Sequence, residues 1–195
     1  MIGSGPMLDV EGLIRLENEI TFASDEIIEI LDTWDWRPSF YTISNCSAAL
    51  RLKERSRQLQ SLMLLPKTLR SLNCAGPRTL WYEEKHENPG SENFRVQDRA
   101  RVRAAFASDV SDGVQTLDGC VMFSQLQLAL HMGCSEVYLM SGAPVTGDPE
   151  YCEWAFRSAS GVYESSGGRI ADVSVRPLIP GLPHFDLMSV LRPAT

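Results

Sequence analysis

Cys120-Val-Met-Phe-Ser-Gln-Leu-Gln-Leu-Ala-Leu-His-Met-Gly133 is apolar around nearly its whole circumference, as a helix buried against a sheet must be. Gly133 supplies the left-handed residue that closes such a helix. Glu136-Val-Tyr-Leu-Met140 follows within three residues and reads as a strand, so the pair is one helix-strand unit of a layered α/β structure. Downstream, Asp148-Pro149-Glu150 places a cap, a proline and an acid in the order that opens a helix. Tyr151, Trp154, Ala155, Ser158 and Val162 form its expected apolar stripe, Gly167-Gly168 ends it, and residues 169–175 return as a last strand.

Upstream, the same alternation runs back to the first residues. Met1-Ile2 is all that precedes the turn Gly3-Ser4-Gly5-Pro6, so a first strand is expected to be a stub unless the natural protein extends further. A short helix is expected over residues 6–16, with proline at its first position and Leu13, Ile14 and Leu16 on its apolar face. Residues 20–23 read as a strand. Ser24 or Asp25 can cap a helix carrying Ile27, Ile30, Leu31 and Trp34 at helical spacing. Residues 40–43 form the next strand, and a basic helix spans residues 47–59. Residues 63–65 and 79–82 are further strands, joined by a helical or turn segment closing near Gly76-Pro77. Residues 84–113 are polar and lack a sustained period outside 96–106, which predicts an excursion carrying one helix. No repeat or low-complexity tract interrupts the pattern, and one domain over residues 1–195 is the expectation.

The composition narrows the class. Apolar residues make up 44% and charged residues 22% of the 195, which excludes a disordered chain, and no apolar run is long enough to span a bilayer. No secretory leader is read in residues 1–30, so the expected location is the cytoplasm. The five cysteines are odd in number and irregularly spaced, without a CxxC pair, and read as reduced thiols rather than a zinc site. A net charge of -7 argues against nucleic acid as a general partner, because that affinity comes from a positive surface. The runs Arg51, Lys53, Arg55, Arg57 and Arg95, Arg99, Arg101, Arg103 read as solvated helix faces or as sites for an acidic substrate.

Several residues are candidates for chemistry. Two glycines between a strand stub and a helix start let a backbone approach a phosphate, although a plain turn fits Gly3, Ser4 and Gly5 as well. Ser4, Asp25 and Asn45 each follow an expected strand, and in a parallel sheet such positions share one edge, where ligands bind. Ser24-Asp25 and Ser44-Asn45 also suit helix caps, and the two roles can coexist. Asp118-Gly119 precedes the buried helix and is either an ordinary helix start or a second anion site. His131 is expected to be packed in the core. His184, in Gly181-Leu-Pro-His-Phe-Asp186, is the histidine placed to reach the shared edge and is the candidate base. Metal-ligand spacing, a paired-carboxylate pattern and a Gly-x-Ser-x-Gly elbow are absent from the sequence.

Four stretches together resemble a bacterial and archaeal family that includes lipooligosaccharide sialyltransferases, motility-associated flagellin glycosyltransferases and archaeal 6-hydroxymethylpterin diphosphokinases. Gly3-Ser-Gly-Pro-Met-Leu8 is similar to the family's Gly-Asn-Gly-Pro-Ser-Leu opening, and Asn18-Glu-Ile-Thr-Phe22 with Trp36-Arg-Pro-Ser-Phe-Tyr41 to its next unit. The segment from Asp118 through Leu139 is the strongest likeness, and Gly168-Arg-Ile-Ala-Asp172 with Leu182-Pro-His-Phe-Asp186 resembles the closing strand and tail. The chain departs from the pattern after the strand ending at Leu139. There the family has Gly-x-Asp, whereas this chain reads Met140-Ser-Gly-Ala-Pro144 with no acid before Asp148, and it lacks room for the long lid that bears the sialyltransferases' histidine.

The resemblance implies a Rossmann-like three-layer sandwich with a mostly parallel central sheet, holding a nucleotide-activated sugar at the glycine turn. It places Gly3, Ser4 and Gly5 against the nucleotide phosphates, Asp25 and Asn45 at further nucleotide contacts, and Asp118 and Gly119 at the loop before the donor-site helix. The implied activity is metal-independent glycosyl transfer to a glycan or lipid-linked acceptor, with no cofactor. A diphosphokinase holding ATP and magnesium, through Asp25, Asp118 or Asp148, is the alternative, and a non-catalytic nucleotide-binding or assembly protein of the same fold is the other. Homo-oligomer formation is left open.

Overall fold

In the computed structural model, which describes residues 1–3, 8, 10–31, 36–43, 45–86, 106, 110–111, 113–116, 120–140 and 149–191, the strands send alternate side chains into two separate cores. Phe22, Leu64, Val137, Leu139 and Ile170 enter one, while Ile2, Ala23, Tyr41, Met63, Leu65 and Met140 enter the other. Alternation with both sets apolar is what a sheet covered on both faces requires. Helices α4 (Val121–His131) and α5 (Pro149–Ser165) fill the first core through Met122, Phe123, Leu126, Phe156 and Tyr163. The second core is closed by α1 (Val10–Leu13, continued by a 3-10 turn to Leu16), α2 (Ile27–Ile30) and α3 (Cys46–Gln58).

Four strands, β1 (Phe22–Ser24), β2 (Phe40–Thr42), β3 (Leu62–Pro66) and β4 (Thr79–Tyr82), form a parallel sheet in that order. Phe22 lies opposite Phe40, and their rings stack at 4.7 Å. A parallel ribbon joins β5 (Glu84–His86) to β6 (Val114–Thr116), and another joins β7 (Glu136–Leu139) to β8 (Arg169–Asp172). This central parallel sheet flanked by helices is a Rossmann-like α/β fold.

Residues 1–3 tie β1 to β7. Ile2 bridges Ala23 on one side and Met140 on the other, both in parallel. The Ile2 amide donates to Phe22 O at 2.8 Å, and the Gly3 amide to Met140 O at 3.0 Å. The strand order across the molecule is therefore β4, β3, β2, β1, residues 1–3, β7, β8, with every carboxyl end on one edge. At the entry to β8, Gly168 passes so close to the preceding loop that a Cβ there would lie 2.2 Å from Ser135 O.

Several elements differ from the sequence expectations. The helix expected from residue 6 is described only from Val10, and its second half is a 3-10 turn. Neither Ser24 nor Asp25 caps α2: the capping position is Glu26, whose side chain makes no cap bond, and Asp25 bends the chain at φ +47°. Trp34 lies outside the described residues, while Trp36 is buried. The buried face of α5 is Ala155, Phe156, Ala159, Ser160 and Tyr163, with Trp154, Ser158 and Val162 half-buried on its flank. The two alanines admit close approach, and Tyr163 reaches across to give its hydroxyl to Leu126 O at 2.8 Å.

β8 stops at Asp172 rather than at 175 because the Asp172 carboxylate takes the amides of Ser174 (2.8 Å), Leu178 (2.7 Å) and Ile179 (3.2 Å), turning the chain out of the sheet. The expected excursion, residues 84–113, opens with β5 and leads into β6, which pairs with it. The helix expected at 96–106 lies outside the described residues except Phe106, which is buried edge-on to Phe123. His131, expected in the core, is exposed in the last turn of α4. The buried stretch of that helix ends at Ala129.

Candidate functional site

The order in which strands are added reverses at residues 1–3. From there β1 to β4 are laid down on one side, and β7 and β8 on the other. In open parallel sheets such a reversal leaves a crevice outside the carboxyl ends, because the connections on its two sides run to opposite faces. Gly3 is the last described residue before it, buried and tied through its amide to Met140 O.

Three helices open toward this edge. α3 starts directly after β2. α4 ends at Gly133, where the chain turns into the amino end of β7, and α5 ends at Gly167, where it turns into the amino end of β8. Both therefore begin at the opposite, carboxyl edge. The positive ends of the helix dipoles suit such an edge to anions.

Asp25 stands at the end of β1, one strand from Gly3, or about 5 Å at the usual strand spacing. It is buried, its amide donates to Thr42 O at 3.3 Å, and its carbonyl accepts the Tyr41 hydroxyl at 2.6 Å. Burial first, and then the Asp25 carboxylate, push the Tyr41 phenol well above the ordinary tyrosine range, so it stays protonated as a donor. Asn45 stands at the end of β2, two strands from Gly3, where its Oδ1 accepts from the Ala48 amide at 2.9 Å and caps α3. Arg51 pairs with Glu26 and, at 3.4 Å, with Glu29, closing α2 against α3 beneath these two residues.

His184 occupies the same edge on the far side. It bridges Asp172 as an added strand position beyond β8, and its Nε2 lies 2.9 Å from Ser174 O. Three strand spacings separate it from residues 1–3, about 14 Å. Gly3 and Asp25 are thus adjacent, Asn45 lies one strand beyond Asp25, and His184 lies across the reversal from all three. Ser4, Gly5, Asp118 and Gly119 fall outside the described residues.

The structure adds polar residues that the sequence reading passed over. Thr42 and Gln125 are completely buried and Ser24 nearly so, below the ends of β1 and β2 on the α4 side. The Gln125 Nε2 donates to Ala23 O at 3.2 Å and to Thr42 Oγ1 at 2.7 Å, fastening α4 to both strands. Its Oε1 is buried and has no partner among the described residues. The signal available in the sequence was Ser124-Gln-Leu-Gln127, four residues with three polar ones in the middle of a helix otherwise too apolar to face water. Among the described residues Asp172 is the other buried acid at this edge, and both of its oxygens are occupied by the backbone amides of the following loop.

The arrangement defines a class: an α/β protein with a strand-order reversal whose rim offers backbone amides, helix N-termini and a few polar side chains. Comparisons with known proteins return no matching family model, no similar curated protein and no similar solved structure. Among the described residues no three side chains group as metal ligands, and no helix is long and apolar enough to cross a membrane.

Proposed function

We propose that the protein binds a nucleotide-activated sugar with its phosphates at the strand-order reversal and transfers the glycosyl group to a glycan or lipid-linked acceptor, in the cytoplasmic stages of surface-polysaccharide assembly. The observation that carries this reading is the meeting on one edge of Gly3, Asp25, Asn45 and the N-terminal ends of α3, α4 and α5. The resemblance of the glycine turn and of the α4–β7 segment to the sialyltransferase-like family supports the choice of ligand. In the reaction, the acceptor hydroxyl attacks the anomeric carbon while the bond to the leaving phosphate breaks. Amides of the glycine turn and of the helix starts stabilise that phosphate. His184 takes the acceptor proton, which requires the sugar to extend from the reversal across β7 and β8.

A thermal-shift panel of CMP, CDP, UDP, GDP and ATP, with and without magnesium, tests binding. A ligand at 100 times its dissociation constant stabilises the fold by about 2.7 kcal/mol. Stabilisation by one nucleoside diphosphate or monophosphate without magnesium is the expected result. A response to ATP only with magnesium replaces transfer by the diphosphokinase reaction, and a flat panel removes the nucleotide altogether. Once a donor is known, His184→Ala is expected to lower kcat by roughly 100-fold or more with the donor KM little changed, and an unchanged kcat takes the base away from His184.

A further inference from the structure

We infer that the Gln125 side-chain oxygen is a hydrogen-bond acceptor for the nucleoside of the bound molecule, receiving an amino or hydroxyl hydrogen at the ends of β1 and β2; this rests on the nucleotide reading above. Both hydrogens of the Gln125 carboxamide are already placed, on Ala23 O and on Thr42 Oγ1. Ala23 O can only accept, so turning the amide over would set two acceptors against each other, and the oxygen is held on the side away from these two bonds. Gln125 has no exposed surface, and Oε1 has no partner among the described residues. Buried carbonyls in folded proteins are paired almost without exception, because an unpaired one forfeits its hydration for nothing.

Among the described residues two other buried side-chain oxygens lack a partner: Ser61 Oγ, at the amino end of β3, and Gln115 Oε1, on the β6 ribbon. Gln125 is the one beneath the edge where the strands end. Its chemistry selects which part of the ligand it meets. A phosphate at neutral pH offers acceptors and cannot bond a carbonyl oxygen, so the partner is a group bearing N–H or O–H. Its position selects further. With phosphates at residues 1–3 and the transferred sugar directed toward His184 on the β8 side, the nucleoside extends the other way, over β1 and β2, where Gln125 sits.

The experiment compares full-length wild type with Gln125→Met by calorimetric titration of CMP against UMP, AMP against IMP, and each against its 2′-deoxy form. For the nucleotide that binds best, removing the one hydrogen donor is expected to weaken wild-type binding about tenfold. Loss of the amino group identifies the base as the source, and loss of the 2′-hydroxyl the ribose. In Gln125→Met the same pair of ligands is expected to bind alike. Should the variant not fold, the wild-type protein decides alone: the Gln125 carboxamide NMR resonances move with the complete nucleotide and stay in place with the analogue lacking the donor. Equal discrimination by wild type and variant, or carboxamide resonances indifferent to both ligands, overturns the inference while leaving nucleotide binding intact. Absence of any nucleotide binding by wild type overturns both.

Discussion

Two glutamines two residues apart on α4 face different parts of the molecule and are treated in opposite ways. On the β6 side the Gln127 carboxamide is used completely: Oε1 accepts from the Gln115 amide at 2.9 Å, and Nε2 donates to Gln115 O at 2.9 Å and to Phe123 O at 3.2 Å. Ser124 Oγ adds a bond to the same Gln115 O at 3.2 Å. On the β1–β2 side only half of Gln125 is used, and among the described residues nothing pairs with its oxygen. Both residues are fully buried, so burial alone does not tell the two roles apart. The difference is in the accounting of donors and acceptors. A completed carboxamide is a clasp between elements, and a half-completed one beneath the edge where the strands end is, on the proposal above, where the nucleoside is met.

The same substitution at the two positions is the sharpest way to break this contrast. Gln127→Met strips the Gln115 amide of its partner and loosens β6 from α4. We expect a loss of about 2–3 kcal/mol, read as a lower urea midpoint with the slope unchanged. Gln125→Met in the ligand-free protein gives up two donated bonds but also removes the orphan oxygen, and Thr42 Oγ1, already 3.5 Å from Ala23 O, can turn to it. Its net cost is expected to stay within about 1 kcal/mol. Equal losses at both positions would mean that the Gln125 oxygen is satisfied in the free protein, by buried water for example, and the contrast would be gone.

How far the sequence carried this picture follows from which signals are local. The helix from Val121 with its left-handed Gly133, the Asn45 cap of α3, and the strands at Phe40–Thr42 and Thr79–Tyr82 are written in periodicity and capping, and they stand where the residues put them. β5 and β6 were missed because Glu84–His86 and Val114–Thr116 become strands only by pairing across 27 intervening positions, 87 to 113. The stripe of α5 was misplaced because Ala159 and Tyr163 enter the core through small size and a hydroxyl partner on another helix, which hydrophobicity does not weigh. At the edge, order along the chain puts Gly3, Asp25 and Asn45 after strands. That residues 1–3 insert between β1 and β7, making the reversal, is a tertiary fact. Gln125 was legible only as an oddity, a polar residue in an apolar helix, since its meaning depends on two strands about 80 and 100 positions away.

The smallest effect is also the one that locates the ligand without changing any residue. Cys46 opens α3 beside the Asn45 cap at the end of β2 and is exposed, whereas Cys74 is buried in the second core and Cys120 is buried at the start of α4. Burial pushes the Cys74 thiol up, which keeps it in its unreactive form. Iodoacetamide is therefore expected to modify Cys46 well before Cys74 and Cys120, with each site followed separately by peptide mass. If the nucleoside lies over β1 and β2, a saturating nucleotide shields the start of α3, and alkylation of Cys46 slows about threefold or more while half-buried Cys134, slower from the outset, keeps its former rate. Unequal protection of these two thiols places the ligand on the Gln125 side of the reversal. A rate at Cys46 that ignores a nucleotide known to bind would put the nucleoside over β7 and β8 instead, and the unpaired oxygen of Gln125 would then need a different partner.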